Sequence, residues 1–317
     1  MNGDVRPVVV ASQCLGFAAV RYNGAIIDDA FVQRLAQFAD IVEVCPEVGI
    51  GLGVPRPPIR MQTAHSELAG AIALVQPSTG REITDDVRAY ADSFLASLVA
   101  VDGFVLKARS PSCGTHGVNV YDGDSMDVAT TAPGRFAAAV LERFPDVAVA
   151  DELTLRGDVA REHFLTRIYA FARLRRAAAA GTGAALVAFH TRYKYLLMSF
   201  DPGRMTALGR IVADGPADAE RFAAYRALLA YVLARPAGGG GQVNALMHMA
   251  GYISDRLAPG RRADLSGAIL AAAASPERRR AATALLREVV REQENGYLGD
   301  QAFFDPFPAA LMADVAP

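Results

Sequence analysis

The feature that most constrains this chain is a change of period. Through roughly the first 155 residues, short β-branched runs alternate with segments of helical spacing. Beyond about Arg156 the strand signal disappears. The runs VRPVVVAS, IVEVCPE, GFVLKA and DVAVAD read as buried strands. Between them, DDAFVQRLAQFAD, with Asp28 or Asp29 near its start, TDDVRAYADSFLASLVAV, with Thr84 as N-cap, and PGRFAAAVLERFP read as helices. Strands alternating with helices imply a parallel sheet covered by helices, an α/β, Rossmann-like layer.

The expected organisation follows. Residues 1–155 form the α/β domain, 156–182 a helical linker through DVAREHFLTRIYAFARLRRAAAA with a hinge at GTGAA, and 183–317 an all-α domain. Five helices are read there, over ALVAFHTRYKYLLMSF, DPGRMTALGRIVA, PADAERFAAYRALLAYVLAR, GQVNALMHMAGYISDRL and SPERRRAATALLREVVREQE. PAGGGG, Pro236 to Gly241, reads as a flexible loop, and YLGDQAFFDPFPAAL as an ordered tail.

The chain holds three cysteines, and the strand pattern puts each near a strand end: Cys14 after the first, Cys45 after the second, Cys113 after the third. In open α/β sheets ligands bind outside the carboxyl ends of the strands, so three thiols distant in sequence converge on one crevice. Cys113 lies in SPSCGTHG, a turn of small polar residues that presents the sulfur rather than packing it. With no C-x-x-C pair, common zinc-finger spacings are absent. Three readings stand: unrelated buried thiols, a three-cysteine zinc site, or a 4Fe-4S cluster with three protein ligands and one open iron. An open iron suits polarising a soft atom such as sulfur.

Neighbouring residues add chemistry. Glu47 follows Cys45 by two residues; it either positions or deprotonates a water beside a metal or is an exposed strand-end glutamate. Ser110 and Ser112 flank Cys113 as hydrogen-bond donors, and His116 is a candidate proton shuttle. Arg56 and Arg60, in a Pro- and Gly-rich loop, either clamp a phosphate or a polar ring or are simply solvated. VRYNG reads as a tight reversal.

The 317-residue chain has a formal charge of −2, which advertises no global nucleic-acid field. No apolar run spans a bilayer and the N-terminal segment lacks a signal-peptide pattern, so a cytoplasmic location with free or metal-bound thiols is expected.

Three ordered motifs, SQCLGFAAVRYNG, VCPEVGIGLGVPRPPIR and LKARSPSCG, together resemble the TudS-type thiouracil desulfidases over roughly residues 7–150. The helical half resembles a formerly uncharacterised family often fused to the first, through AFHTRYKYLLMSFDPGRMTALGRIVA, VNALMHMAGY and YLGDQAFFDPFP. The fused arrangement is similar to the RudS enzymes, which remove sulfur from 4-thiouridine in tRNA. Where that family carries a proline-rich PL-VP segment, this chain has ERRRAATALLREVVREQENGY.

The resemblance implies a 4Fe-4S cluster on Cys14, Cys45 and Cys113, with the fourth iron taking the thiocarbonyl sulfur of the substrate. It implies acid/base work by Glu47 and assistance by Ser110, with Ser112 as the second choice. The implied reaction is a non-redox hydrolysis of 4-thiouridine in tRNA to uridine and sulfide. Free thiouracil or a thionucleoside is the alternative substrate. A non-catalytic RNA-binding or redox-sensing protein with a structural metal is the alternative class.

From Gly183 onward there are 15 basic and 13 acidic residues, +2; the preceding part carries −4. That asymmetry is too small to derive tRNA binding from charge alone. Local basic groups are Arg192, Lys194, Arg204 and Arg210; Arg278 to Arg280; and Arg173, Arg175 and Arg176. Tyr193, Tyr195, Phe303 and Phe304 are expected to pack the bundle rather than stack bases, and His190 and His248 to be core histidines.

Overall fold

In the computed structural model, which describes residues 5–63, 72–215 and 218–313, strand Val8–Ser12 (β1) is buried over four of its five residues. A run of valines needs this: a parallel strand covered on both faces has no polar side to show. Helix Ala30–Phe38 (α1) begins at Asp29, whose carboxylate accepts the Val32 amide. Strand Asp40–Val44 (β2) returns parallel to β1 and leads directly into the short helix Pro46–Gly49 (α2).

The chain then builds a second sheet that the sequence pattern did not disclose. Strands Arg60–Thr63 (β3), Ile72–Gln76 (β4) and Arg81–Glu82 (β5) join Val118–Tyr121 (β7) and Val128–Ala132 (β8) in the order β5-β4-β3-β7-β8. Only the β3–β7 pair is parallel. Between these strands come helix Thr84–Ser97 (α3) and strand Gly103–Leu106 (β6). Helix Arg135–Arg143 (α4) and strand Ala148–Asp151 (β9) follow. The first sheet is wholly parallel, in the order β2-β1-β6-β9. Val10, Phe104, Met61, Leu74, Val87 and Phe136 share one buried core that joins both sheets to α3 and α4. Each such side chain contributes roughly 1.5–3 kcal/mol by leaving water. Thr84 is not the cap expected of it: Ile83 holds that position, and the Thr84 hydroxyl turns back to accept the Leu74 amide at 2.8 Å.

The chain divides into two compact units, Met1–Ile168 with Ala310–Pro317, and Tyr169–Ala309. Helix Asp158–Ala180 (α5) contributes to both. In the first unit it approaches β6 so closely that a Cβ on Gly103 would lie 2.6 Å from Ile168.

Among its described residues the second unit is helical: Gly183–Phe200 (α6), Pro202–Ala213 (α7), Ala219–Val232 (α8), Gly239–Ile253 (α9), Pro259–Ala271 (α10), Pro276–Glu292 (α11) and Gly296–Gly299 (α12). Thr182, Asp201, Asp218, Ser275 and Asn295 cap α6, α7, α8, α11 and α12 through their side chains. Helix α10 was not among those read from the sequence. The glycine run also differs from expectation: Gly239–Gly241 is the first turn of α9, and a Cβ on Gly241 would stand 2.1 Å from the Ser199 carbonyl oxygen. Gly241 serves close helix approach, not flexibility, while a Cβ on Gly240 would meet nothing. Residues 216 and 217, read as the start of α8, lie outside the described residues.

Tyr193, Tyr195 and Phe304 are buried in the bundle, as expected. His190 is packed beneath Tyr225, its Nδ1 3.0 Å from the hydroxyl. His248 is exposed on α9, contrary to a core placement, because its neighbours Ala245, Leu246 and Met249 take the inward face. No helix among the described residues is long and apolar enough to cross a membrane.

Candidate functional site

The path of the chain through the parallel sheet creates the site. From β1 it moves outward to β2 on one side, then crosses to β6 on the other. Connections therefore leave β1 and β6 in opposite directions, and a crevice opens at their carboxyl ends. A cavity of about 440 Å³ lies there, lined by Cys14, Cys45 and Cys113 together with Glu47 and Ser110. The five residues singled out from the sequence thus share one cavity. Ser112 does not line it; it is fully buried, and its hydroxyl has no hydrogen-bond partner.

Each thiol is held by a different local device. Cys14 sits in the turn after β1, where its carbonyl accepts the Ile27 amide at 2.8 Å. Cys45 is the residue before α2, and Pro46 fixes the entry to that helix, so the buried Glu47 falls in its first turn. Cys113 rides a tight loop: Gly114 N–H donates to Ser110 O at 2.8 Å, and Ser110 Oγ accepts the Ser112 and Cys113 amides at 3.2 and 3.0 Å. The carbonyls of this loop in turn receive the first amides of α4, Arg135 to Pro111 and Phe136 and Ala137 to Ser112. Gly134 makes that approach possible, since a Cβ there would lie 2.5 Å from Ser112 O. Before the loop, Arg109 takes a left-handed φ of 58°. A non-glycine residue there is strained, as is common at functional sites.

The electrostatics disfavour free thiolates. Burial, and next the charge of Glu47, push Cys14 up to about 11 and Cys45 up to about 12. Cys113, buried among the core residues rather than presented as its turn suggested, though it also lines the cavity, is raised for the same two reasons in the same order. Cys45 Sγ donates to Glu47 Oε2 at 3.5 Å, and Arg56 Nη2 stands 4.0 Å from that oxygen. Three thiols in one partly buried cavity beside a carboxylate require a bound cation to ionise together. Among the described residues, no three Cys, His, Asp or Glu side chains gather around a point that would hold a single metal ion.

The two arginines of the Pro-rich loop part company. Arg56 lines the cavity, with its Nη1 donating to Val20 O and Gly53 O, both at 3.0 Å. Arg60 instead serves the second sheet: it donates to Ser125 O and Gly123 O and lies over the Tyr121 ring. His116 is exposed and does not line the cavity; its Nδ1 is 2.9 Å from Thr115 Oγ1, which donates to Asp151 at 2.7 Å.

Sequence reading missed a buried ion pair on the cavity wall. Lys107 Nζ donates to Glu152 at 2.6 Å and to Ala108 O at 2.7 Å, while Glu152 also accepts the Ala108 amide. Ser12, at the end of β1, accepts the Lys107 amide at 2.9 Å and hydrogen-bonds the Cys113 sulfur. The signal was present: a lysine closing the apolar run GFVLKA needs a partner. A further cleft of about 500 Å³, lined by α3 and α4 with Arg88, Asp92, Arg135, Glu142 and Arg143, contains no thiol.

Comparison with known proteins identifies the family of the α/β unit. The family model described as 2-thiouracil desulfurase matches residues 9–152, and one described as a protein of unknown function (DUF1722) matches residues 194–308. The uncharacterized protein YbbK of Bacillus subtilis (strain 168) is 30% identical over 155 residues, 46% of this chain and 97% of the relative. A solved structure titled [4Fe-4S]-dependent thiouracil desulfidase TudS is 28% identical, covering 48% of this chain and 94% of that one with a TM-score of 0.38. Through its α/β unit and the cysteine-lined cavity that unit carries, the chain belongs to the 2-thiouracil desulfurase family of sulfur-removing enzymes.

Proposed function

We propose that this chain hydrolyses the thiocarbonyl of a thiopyrimidine, with a 4Fe-4S cluster on Cys14, Cys45 and Cys113, and that its substrate is 4-thiouridine in tRNA. The observation that carries the reading is the convergence of three thiols and Glu47 on one cavity at the carboxyl ends of β1, β2 and β6. The residues fit such a cluster. Three thiols raised by burial and by Glu47 become thiolates once a polycationic core is bound. Among the described residues the three sulfurs do not gather as a single zinc with bonds of about 2.3 Å would require. When bound, the cluster supplies an iron without a cysteine ligand, a Lewis acid for the thiocarbonyl sulfur.

The remaining work falls to the chain. Glu47, steadied by Arg56, takes the proton from a water that attacks the thiocarbonyl carbon. Ser110, whose oxygen already accepts two amides, offers its proton to the substrate. The C–S bond breaks, a C=O bond forms, one water is consumed and sulfide leaves; no net electron is transferred.

The tRNA substrate is supported by the attached helical unit, a surface that a free base does not need. A nucleotide in folded RNA must be extruded to reach a cavity of this kind. Free thiouracil is favoured by a different observation: the 155 residues shared with YbbK span 97% of that relative. A relative of the α/β unit therefore exists without the helices. Protein reconstituted with iron and sulfide without oxygen, then offered thiolated tRNA and free 4-thiouracil in parallel, separates the two. Sulfide release from tRNA at low concentration supports the first; release from the free base alone replaces it with the second. Release from neither overturns the desulfurase reading.

A further inference from the structure

Resting on that desulfurase reading, we infer that Tyr22 is the platform on which the pyrimidine ring of the substrate stacks, and that Arg56 holds it there. Tyr22 is the one aromatic side chain among the described residues lining the cavity. It is 44% exposed, whereas Tyr169, Tyr193 and Tyr225 are buried completely. A single exposed ring is ordinary on a protein surface. An exposed ring on a turn this firmly tied is not.

The ties are specific. Arg21 N–H donates to Ala25 O at 3.3 Å, and Gly24 N–H to Arg21 O at 2.8 Å, with Gly24 in the left-handed region at φ 72°. Asn23 Oδ1 accepts the Ala25 amide at 3.1 Å. The Arg56 amide donates to Tyr22 O at 2.8 Å, and the Arg56 side chain, only 5% exposed, donates to Val20 O at 3.0 Å. The Arg21 guanidinium lies 5.7 Å from the centre of the Tyr22 ring, within cation–π range, and fixes its tilt.

Arg56 therefore touches both sides of the chemistry. One end of its guanidinium orders the turn that carries the ring, and Nη2 faces the Glu47 carboxylate at 4.0 Å. A flat, neutral base laid on Tyr22 would keep a fixed height relative to Glu47. Stacking suits this substrate because every pyrimidine has a π-face, whichever oxygen is replaced by sulfur. The platform would thus bind 2-thio and 4-thio bases alike and leave the choice of reacting position to the groups deeper in the cavity.

The test uses the cluster-loaded full chain with 4-thiouracil and 2-thiouracil. Tyr22→Phe keeps the wild-type KM, and Tyr22→Ala raises KM about ten-fold or more with kcat within about two-fold and the visible cluster absorption unchanged. The chain contains no tryptophan, so Tyr22→Trp adds a unique fluorophore. Its emission is quenched saturably by either base. An unchanged KM in Tyr22→Ala, or emission indifferent to both bases, overturns the platform. Wild-type protein that releases no sulfide from any thiolated substrate sinks the desulfurase reading instead. In that event, quenching in Tyr22→Trp still upholds the stacking site and its absence removes it.

Discussion

Ser110 Oγ accepts the Cys113 amide at 3.0 Å, so the hydroxyl and the thiol of the SPSC motif are parts of one turn. With the Ser112 amide also bound to it, the Ser110 oxygen has no acceptor capacity left and acts toward a ligand only as a donor. Ser110→Ala is expected to lose both functions. Stability falls by about 1 kcal/mol, as for loss of a cap, and kcat falls about a hundred-fold, as for loss of a donor to developing charge. Urea denaturation and anaerobic sulfide release measure the two effects; full activity in this variant would exclude the assigned role.

Cluster-free protein keeps its thiols protonated at neutral pH. Cys14 and Cys45, ordinarily near 9, stand at about 11 and about 12 through burial and then the charge of Glu47. Folding favours the protonated thiols, so their stabilising contribution is complete below about pH 9 and disappears as pH rises toward 12. Only thiolate is alkylated, so iodoacetamide labelling at pH 8 is slow. Glu47→Gln removes a raising charge and accelerates labelling several-fold, as followed by intact mass.

Gly134 carries the Cys113 loop. A Cβ there meets backbone, Ser112 O at 2.5 Å and Pro111 O at 2.8 Å, and no rotamer change relieves it. Gly134→Ala is expected to cost about 1–3 kcal/mol and to lower cluster incorporation, because relief requires moving Cys113. Thermal denaturation and visible absorption after reconstitution report the two. A variant that is destabilised yet loads a full cluster would separate the loop from the metal site.

The helical unit has an acid-sensitive contact. Burial, and secondarily Lys194, lower His190 below its usual 6.5, so the ring is neutral when packed against Tyr225. A depressed folded-state value means stability that is present above about pH 6.5 and is lost as pH falls below it. His190→Gln is expected to flatten the decline between pH 7 and 5, measured as Tm against pH. A slope unchanged in that variant would assign the effect to other groups.

Legibility in the sequence divided along physical lines. In the parallel sheet the central strands β1 and β6 were visible as apolar runs and the edge strands β2 and β9 by their valines and isoleucine, and the strand ends located the cysteines. RMQT and VATTA, in β3 and β8, were not: one carries an arginine and a glutamine, and the other is almost wholly exposed. Their pairing rests on partners remote in sequence, which no local pattern announces. Thr84 was misread because a hydroxyl at a helix start also serves the strand beside it. The glycines of α9 were misread because composition does not distinguish freedom from crowding. The strand pattern placed the cysteines and Glu47 and motif resemblance gave their roles, whereas Lys107 and Glu152 needed the folded sheet to meet. Membership of an enzyme family sets aside the reading of a non-catalytic protein.

The order β2-β1-β6-β9 has a last consequence. The three sulfurs arrive on three separate passages of the chain through the sheet, and no two come from one local motif. A nascent chain that has finished only the first passages holds isolated thiols, which bind iron no better than scattered cysteines anywhere. If the proposed cluster sits on these thiols, iron content reports topology: coloured protein is protein whose sheet has closed in the right order, whereas colourless protein is either unfolded or folded and unloaded.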